Sequence, residues 1–247
     1  MAMPAAGAGT TPRLIVTVGV RGSASTWAFN VVREVMETAI GAAAVAPCFA
    51  NTPGDLAAAG ACGAACVVCK THGVAGLDRL ARQDGARVIV TIRDPRDAVL
   101  SLIERFGTPP PVALRGVAQS CNAVLGCAGP GVPVLRYEDG FFERAETVAL
   151  LAQHLGVAVA AADIARIFAA WRTAAVRAFA ATVPTLPAER LVDDGAAFCF
   201  DRLTQVHRTH IGDGRVGKWR ERFAPAAQAE LGRAFAPFLD RFRYVTL

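Results

Sequence analysis

A lysine and a histidine stand two residues apart where an apolar run ends, in Cys66-Val67-Val68-Cys69-Lys70-Thr71-His72-Gly73. Alternate residues of an extended strand share a face, so Lys70 and His72 would point into one crevice. Histidine titrates near neutrality and can take a proton from an attacking group, while lysine can neutralise charge on a leaving phosphate. A second cluster, Gly19-Val20-Arg21-Gly22-Ser23-Ala24-Ser25-Thr26-Trp27, joins an apolar run to a helical pattern. Small residues let backbone N–H groups converge there on an anion, and the helix N-terminus adds partial positive charge. Gly19 matches the first position of the triphosphate-binding loop pattern, but Ala24 and Ser25 stand where that pattern needs Gly and Lys. A nucleoside triphosphate is therefore disfavoured, whereas a 5′-phosphate is not. The third cluster runs from Arg93 to Ser101, after the apolar Val88–Ile92. Asp94 and Pro95 suit the N-cap and first turn of a helix and need no function. Arg93 is not explained by capping.

These clusters need a scaffold that brings strand ends together. Apolar, partly β-branched runs at Arg13–Val18, Cys66–Lys70, Arg87–Ile92 and Val132–Tyr137 predict four strands. Helical patterns lie between them, with Phe29, Val32, Met36 and Ile40 on one face of the first, and others at Asp97–Arg105 and Arg144–Leu155. The alternation predicts an α/β fold, a parallel β-sheet flanked by helices on both faces, with ligands at the carboxyl ends of the strands. After Gly156 the pattern is helical to about Ala181, with Ile164, Phe168, Trp171 and Phe179 inward. Val183–Gly217 reads as irregular, a length that suits a functional lid. A last helix is expected over Trp219–Phe242, burying Trp219, Phe223, Leu231, Phe235, Phe238 and Phe242.

The 247 residues, 53% of them hydrophobic, suit a single domain over 13–247, with residues 1–12 a loose, disordered tail. No stretch reaches the roughly 18 uninterrupted apolar residues of a membrane helix, so no membrane partner is expected. The net charge of +5 suits an anionic ligand, but arginines spread along the chain without a lysine run give no support to nucleic-acid binding. Seven cysteines without an export signal favour reduced thiols and a cytoplasmic location. Cys62, Cys66 and Cys69 have the spacing of a radical iron–sulfur site. In a strand, however, Cys66 and Cys69 would face opposite ways and could not share a cluster.

Taken together, the motifs resemble the sulfotransferase family that uses 3′-phosphoadenosine 5′-phosphosulfate (PAPS). Gly22-Ser23-Ala24-Ser25-Thr26-Trp27 is similar to that family's Lys-Ser-Gly-Thr-Thr-Trp loop. The resemblance implies a P-loop NTPase-like sulfotransferase fold, Ser23 to Thr26 on the 5′-phosphate and Trp27 against the adenine. The family's loop lysine is Gly22 here, and Arg21 is the candidate to replace its charge. Lys70-Thr71-His72 resembles the family's Lys-Thr-His, implying His72 as catalytic base and Lys70 beside the bridging oxygen. Arg93, Pro95, Asp97 and Ser101 match its 3′-phosphate motif, which implies that Arg93 and Ser101 bind that group. Guanidinium forks suit such an oxyanion. Tyr137-Glu138-Asp139 resembles a segment whose tyrosine lies near the adenine. Gly214-Arg215-Val216-Gly217-Lys218-Trp219 resembles the late glycine-rich stretch, although the family's Arg-Lys-Gly is Gly212-Asp213-Gly214 here, leaving Arg215 as the candidate cation.

The resemblance covers most of the chain, strongest over Leu14–Ser101. It implies PAPS as cofactor, adenosine 3′,5′-bisphosphate (PAP) as product and no metal. A small-molecule acceptor is expected, and the apolar segments Ile103–Gly116 and Val183–Gly212, with their scattered arginines, are the candidates to bind it. A homodimer is left open. The alternatives are a P-loop kinase-like phosphotransferase, which the missing lysine opposes, and a bisphosphate-nucleotide-binding protein with catalysis weakened by Gly22.

Overall fold

The computed structural model describes residues 11–80, 85–193 and 198–245, so that residues 1–10 of the expected tail lie outside the described residues. In chain order the elements are β1 (Leu14–Gly19), α1 (Ser25–Ile40), β2 (Val45–Ala50), α2 (Pro53–Gly60), β3 (Cys66–Thr71), α3 (Leu77–Leu80), β4 (Ala86–Ile92), α4 (Pro95–Phe106) and α5 (Pro110–Cys127). There follow β5 (Val134–Arg136), α6 (Ala145–Leu155), α7 (Ala161–Trp171), α8 (Thr173–Thr182), β6 (Leu191–Asp193), β7 (Cys199–Asp201), α9 (Trp219–Arg222), α10 (Pro225–Ala234) and α11 (Ala236–Arg241).

β1, buried at all but its first position, sits at the middle of a five-stranded sheet in the order β2-β3-β1-β4-β5. All its pairings are parallel. Alternate residues serve opposite faces. Ile15, Val68 and Ile89 pack with Phe29, Val32 and Met36 of α1 and with Leu151 and Leu155 of α6. Val16, Val18, Val88 and Val90 pack with Val117 and Cys121 of α5 and with Phe235 and Phe238 near the C-terminus. Burying each large apolar side chain of this kind stabilises the fold by about 1.5–3 kcal/mol.

Chain order reverses across β1: β3 lies on one side and β4 on the other, which opens a crevice at the carboxyl ends of the strands. Register makes those ends level, with Gly19 opposite Thr91 and Val18 opposite both Thr71 and Val90. The expected parallel α/β sheet is therefore the one observed.

Several expectations need correction. β2 is an additional strand; its Pro47 and paired alanines hide the pattern, and proline is tolerated because β2 is an edge strand. The fourth expected strand shortens to Val134–Arg136. The helix expected after Gly156 divides at Arg172, which is extended (ψ 152°), and the Thr173 N–H that restarts it donates to Glu143 Oε1 at 3.3 Å. The single last helix is three, because Pro225 and Pro237 each open a new one. The stretch read as irregular contains the antiparallel β6–β7 hairpin, clamped by Arg190 on the buried Asp201 carboxylate; residues 194–197 between its strands lie outside the described residues.

Candidate functional site

The turn after β1 is held tightly to its neighbour strand. Val20 N–H donates to the Thr91 carbonyl at 3.0 Å, and the Ser23 hydroxyl lies 2.7 Å from Thr91 Oγ1. Gly22 (φ 77°) and Ala24 (φ 60°) take left-handed conformations, which curl the chain into the start of α1. A left-handed conformation costs alanine about 1–2 kcal/mol. Glycine stands at this position in the family's loop, so Ala24 holds a shape that suits glycine better. Ala24 gives α1 no side-chain cap, and the first turn carries no carboxylate. The first helical N–H groups are thus available to an anion.

Gly19 is required by close packing. A Cβ there would stand 2.1 Å from Thr91 Oγ1 and 2.7 Å from Ser25 Cβ. Gly19→Ala is expected to destabilise the fold by about 1–3 kcal/mol and to spoil the turn for anions. Chemical denaturation paired with ligand titration checks this; unchanged midpoint and affinity would contradict it.

A cavity of about 620 Å³ opens over these strand ends. Its wall includes Arg21, Gly22, Ala24, Ser25, Thr26 and Trp27 from the turn, Lys70 and His72 after β3, Arg93 and Ser101 from β4 and α4, and Tyr137, Gly214 and Arg215. The structure thus brings most of the sequence-predicted residues around one hollow. Ser23 is not among them: its hydroxyl is turned inward onto Thr91. Val216 is 53% exposed, and Gly217 donates its N–H to Asp97 Oδ2 at 2.6 Å; neither lines the cavity.

His72 Nδ1 lies 2.8 Å from the Gly19 carbonyl. The carbonyl can only accept, so Nδ1 carries the proton and Nε2 is left as an acceptor. Burial first, then Lys70 and Arg21, hold the imidazole well below its ordinary pKa, so at neutral pH it is an unprotonated base. Lys70 is buried beside the Phe49 ring, with Nζ 4.8 Å from the centroid. Burial, and after it Arg21 and Arg105, draw its pKa down to about 7.

Arg93 is 6% exposed and bridges two loops, donating to the carbonyls of Gly22 at 3.1 Å and Arg215 at 3.0 Å. Its guanidinium packs 4.2 Å above the Tyr137 ring, and its Nε has no partner. Ser101 Oγ comes within 3.5 Å of where a Gly22 Cβ would be. Arg93 and Ser101 therefore flank the turn from one side. Arg215 contributes its carbonyl to this bridge, but its guanidinium is taken by Glu221 at 2.6 and 2.8 Å. The buried Asp97 accepts the N–H groups of Gly217 and Trp219, which ties the glycine-rich strap to α4.

Arg105, His207 and His210, which sequence reasoning did not single out within the segments Ile103–Gly116 and Val183–Gly212, also line the cavity. Arg105 could have been found from its place one helical turn beyond Ser101. The two histidines carry no such signal, since a hairpin positions them. Glu138, beside Tyr137, accepts the Asp94 N–H and the Tyr244 hydroxyl and so fixes the start of α4. Cys66 and Cys69 pack into separate clusters on opposite faces of the sheet, and no three His, Cys, Asp or Glu side chains converge for a metal among the described residues. Nor is any helix of the described residues long and apolar enough to cross a membrane.

No family model matches the sequence, and no curated protein matches it. Solved structures do. Mouse sulfotransferase SULT7A1 complexed with PAP matches with a TM-score of 0.59 and 14% identity, over 96% of this chain and 86% of that one. Retinol dehydratase in a complex with retinol and PAP gives a TM-score of 0.60 at 14% identity, over 94% of this chain and 82% of that one. The same enzyme with androsterone and PAP gives 0.59 with the same identity and coverage. The strand order, the phosphate-sized turn and these likenesses agree: the chain has the fold of the PAPS-dependent sulfotransferases.

Proposed function

We propose that the protein transfers a sulfuryl group from PAPS to a hydroxyl or amine of a small-molecule acceptor. The observation that carries this reading is the gathering of the uncapped α1 start, Lys70, His72, Arg93 and Ser101 around one cavity. The residues fit such a nucleotide. Arg21 Nε and Arg93 Nε are buried donors without partners, and both residues line the cavity. The N–H groups and hydroxyls of Ser25 and Thr26 would hold the 5′-phosphate, with Trp27 and Tyr137 beside the adenine. Arg93 and Ser101 would hold the 3′-phosphate.

When bound, PAPS supplies a sulfuryl group whose bond to the bridging oxygen breaks as the acceptor atom bonds to sulfur, leaving PAP. His72 Nε2 takes the acceptor's proton. Lys70 faces the charge that grows on the leaving phosphate. Gly22, at φ 77°, is a position where a lysine would be strained. Arg21, the next residue back, lines the same cavity and supplies a cation there.

The glycine at position 22 also favours a second reading, a PAP-binding protein with weakened catalysis. Two measurements separate them: calorimetric titration with PAP and with ATP, and turnover of labelled PAPS over an acceptor panel. Preference for PAP with turnover supports transfer; tight PAP binding with no turnover supports the second; preference for ATP overturns both. PAP binding also carries a proton signature. Lys70 loses its charge in the free protein as pH rises through about 7. A bound phosphate favours the ammonium form, so binding above that pH takes up a proton. Titration in two buffers of different ionisation enthalpy reads this directly, and equal heats in both would contradict the assignment of Lys70.

A further inference from the structure

The proposed transfer leaves one group of cavity residues without a task, at the carboxyl end of α4. Arg105 sends Nε to the Thr209 carbonyl at 3.0 Å and packs its guanidinium 4.7 Å over the Phe106 ring. His207 stands 5.5 Å from that ring and 6.2 Å from His210, and Phe106 stacks on Phe198 at 6.0 Å. His210 Nδ1 receives the His207 N–H at 3.4 Å, so in the neutral ring the proton sits on Nε2, a donor. The site thus sets a guanidinium and an imidazole beside an aromatic cluster of Phe106, Phe198 and His207.

The negative charge nearby is already committed. Glu104 and Asp213 each meet Lys218 at 2.6 Å, and Glu104 also meets Arg222. Asp97 accepts two backbone N–H groups, and Glu143 accepts the Thr173 N–H. Among the described residues no carboxylate bonds Arg105. Burial and then Arg93 draw the Arg105 pKa down to about 10, and Arg105 in turn lowers those of Lys70 and both histidines. These cations repel one another across a partly desolvated space, and a negative ligand relieves that repulsion. In the proposed complex the phosphates of the nucleotide engage Arg93, Ser101, Arg21 and Lys70, leaving Arg105 over.

We propose that Arg105, with His210, binds an oxyanion substituent on the acceptor, whose apolar body packs beside the aromatic cluster of Phe106, Phe198 and His207. The acceptor is then a hydroxylated or aminated small acid rather than a neutral lipid-like molecule. This rests on the transfer reading above, which the test keeps separate. Guanidinium suits the task because its fork matches planar oxyanions.

The test is calorimetric titration of the PAP-loaded protein with three probes of nearly one shape: 4-hydroxyphenylacetate, 4-hydroxyphenyl sulfate and the neutral 4-hydroxyphenylacetamide. At least one acid is expected to bind about tenfold or more tightly than the amide, and the tighter of the two acids identifies the substituent. Arg105→Gln is expected to erase that preference while PAP affinity stays within a factor of about two; Arg105→Lys keeps part of it. Equal binding of acids and amide, or no binding of any probe at millimolar concentration, overturns the proposal. So does a loss of PAP affinity in Arg105→Gln as large as that in Arg93→Ala, which would make Arg105 a nucleotide ligand. Should the wild-type protein not bind PAP at all, the transfer reading falls instead, and the same probes on the unloaded protein decide the subsite by the same comparison.

Discussion

His72→Ala is expected to lower turnover by about two to four orders of magnitude while PAP affinity changes by no more than a factor of about two. The two readouts separate because His72 bonds only through Nδ1, to the Gly19 carbonyl, and gives its other nitrogen to the cavity. Removing the ring takes away the proton acceptor but none of the cations assigned to the phosphates. His72→Gln refines the test: an amide can still donate to the Gly19 carbonyl, yet cannot carry a proton away, so it should be as inactive as alanine. A glutamine variant with near-normal turnover would reduce His72 to a structural role. The pH profile supplies a third check with a definite sign. Burial and the neighbouring Lys70 and Arg21 hold the imidazole pKa well below its ordinary value. The base is therefore available across neutral pH, so the acid limb of kcat/KM should lie well under the usual histidine range, while the loss of charge on Lys70 sets a separate alkaline limb above about 7. An acid limb at the ordinary imidazole pKa would contradict the surroundings described for His72.

Why these residues were legible in the sequence, and others not, has a physical basis. Lys70, His72 and Arg93 each follow an uninterrupted apolar run, and a strand buried on both faces must end where polar side chains begin. Sequence order alone thus placed them at the carboxyl edge. β2 gave no such signal because its run is broken by Pro47 and diluted by alanine. The β6–β7 hairpin was invisible for a different reason: strands of three residues are too short to show alternation. His207 and His210 inherit that blindness. Arg105 reaches them through a hydrogen bond to Thr209, a hundred and four residues away, which no local pattern encodes. Arg215 presents a different case. Its neighbourhood marked it as a phosphate ligand, but Glu221, on the following helix, captures the guanidinium. Local pattern located the strand ends, while pairing in the folded chain, both near in sequence (Arg215 with Glu221) and far (Lys218 with Glu104), decided which charged groups are engaged.

Arg93→Ala is expected to weaken PAP binding by about ten- to a hundredfold, the worth of a charge-assisted contact, and to weaken adenosine 5′-monophosphate far less. The comparison matters because Arg93 has two tasks. It bridges the carbonyls of Gly22 and Arg215 and packs on Tyr137, so it braces the loop, the strap and the adenine side of the cavity. Losing the brace alone would loosen all three and weaken both nucleotides alike. Losing a 3′-phosphate ligand weakens only the one that has the phosphate. Arg93→Lys sharpens the distinction, since a single ammonium keeps the charge but cannot span two carbonyls and a phosphate together. It should recover part of the PAP affinity and none of the bracing, which hydrogen exchange at Gly22 and Arg215 would report. Ser101→Ala, which touches neither carbonyl, provides the independent control: it should weaken PAP and spare the monophosphate without altering exchange. Equal losses for both nucleotides in Arg93→Ala, with no effect of Ser101→Ala, would leave the 3′-phosphate without its assigned seat and return the cavity to an ordinary 5′-nucleotide site.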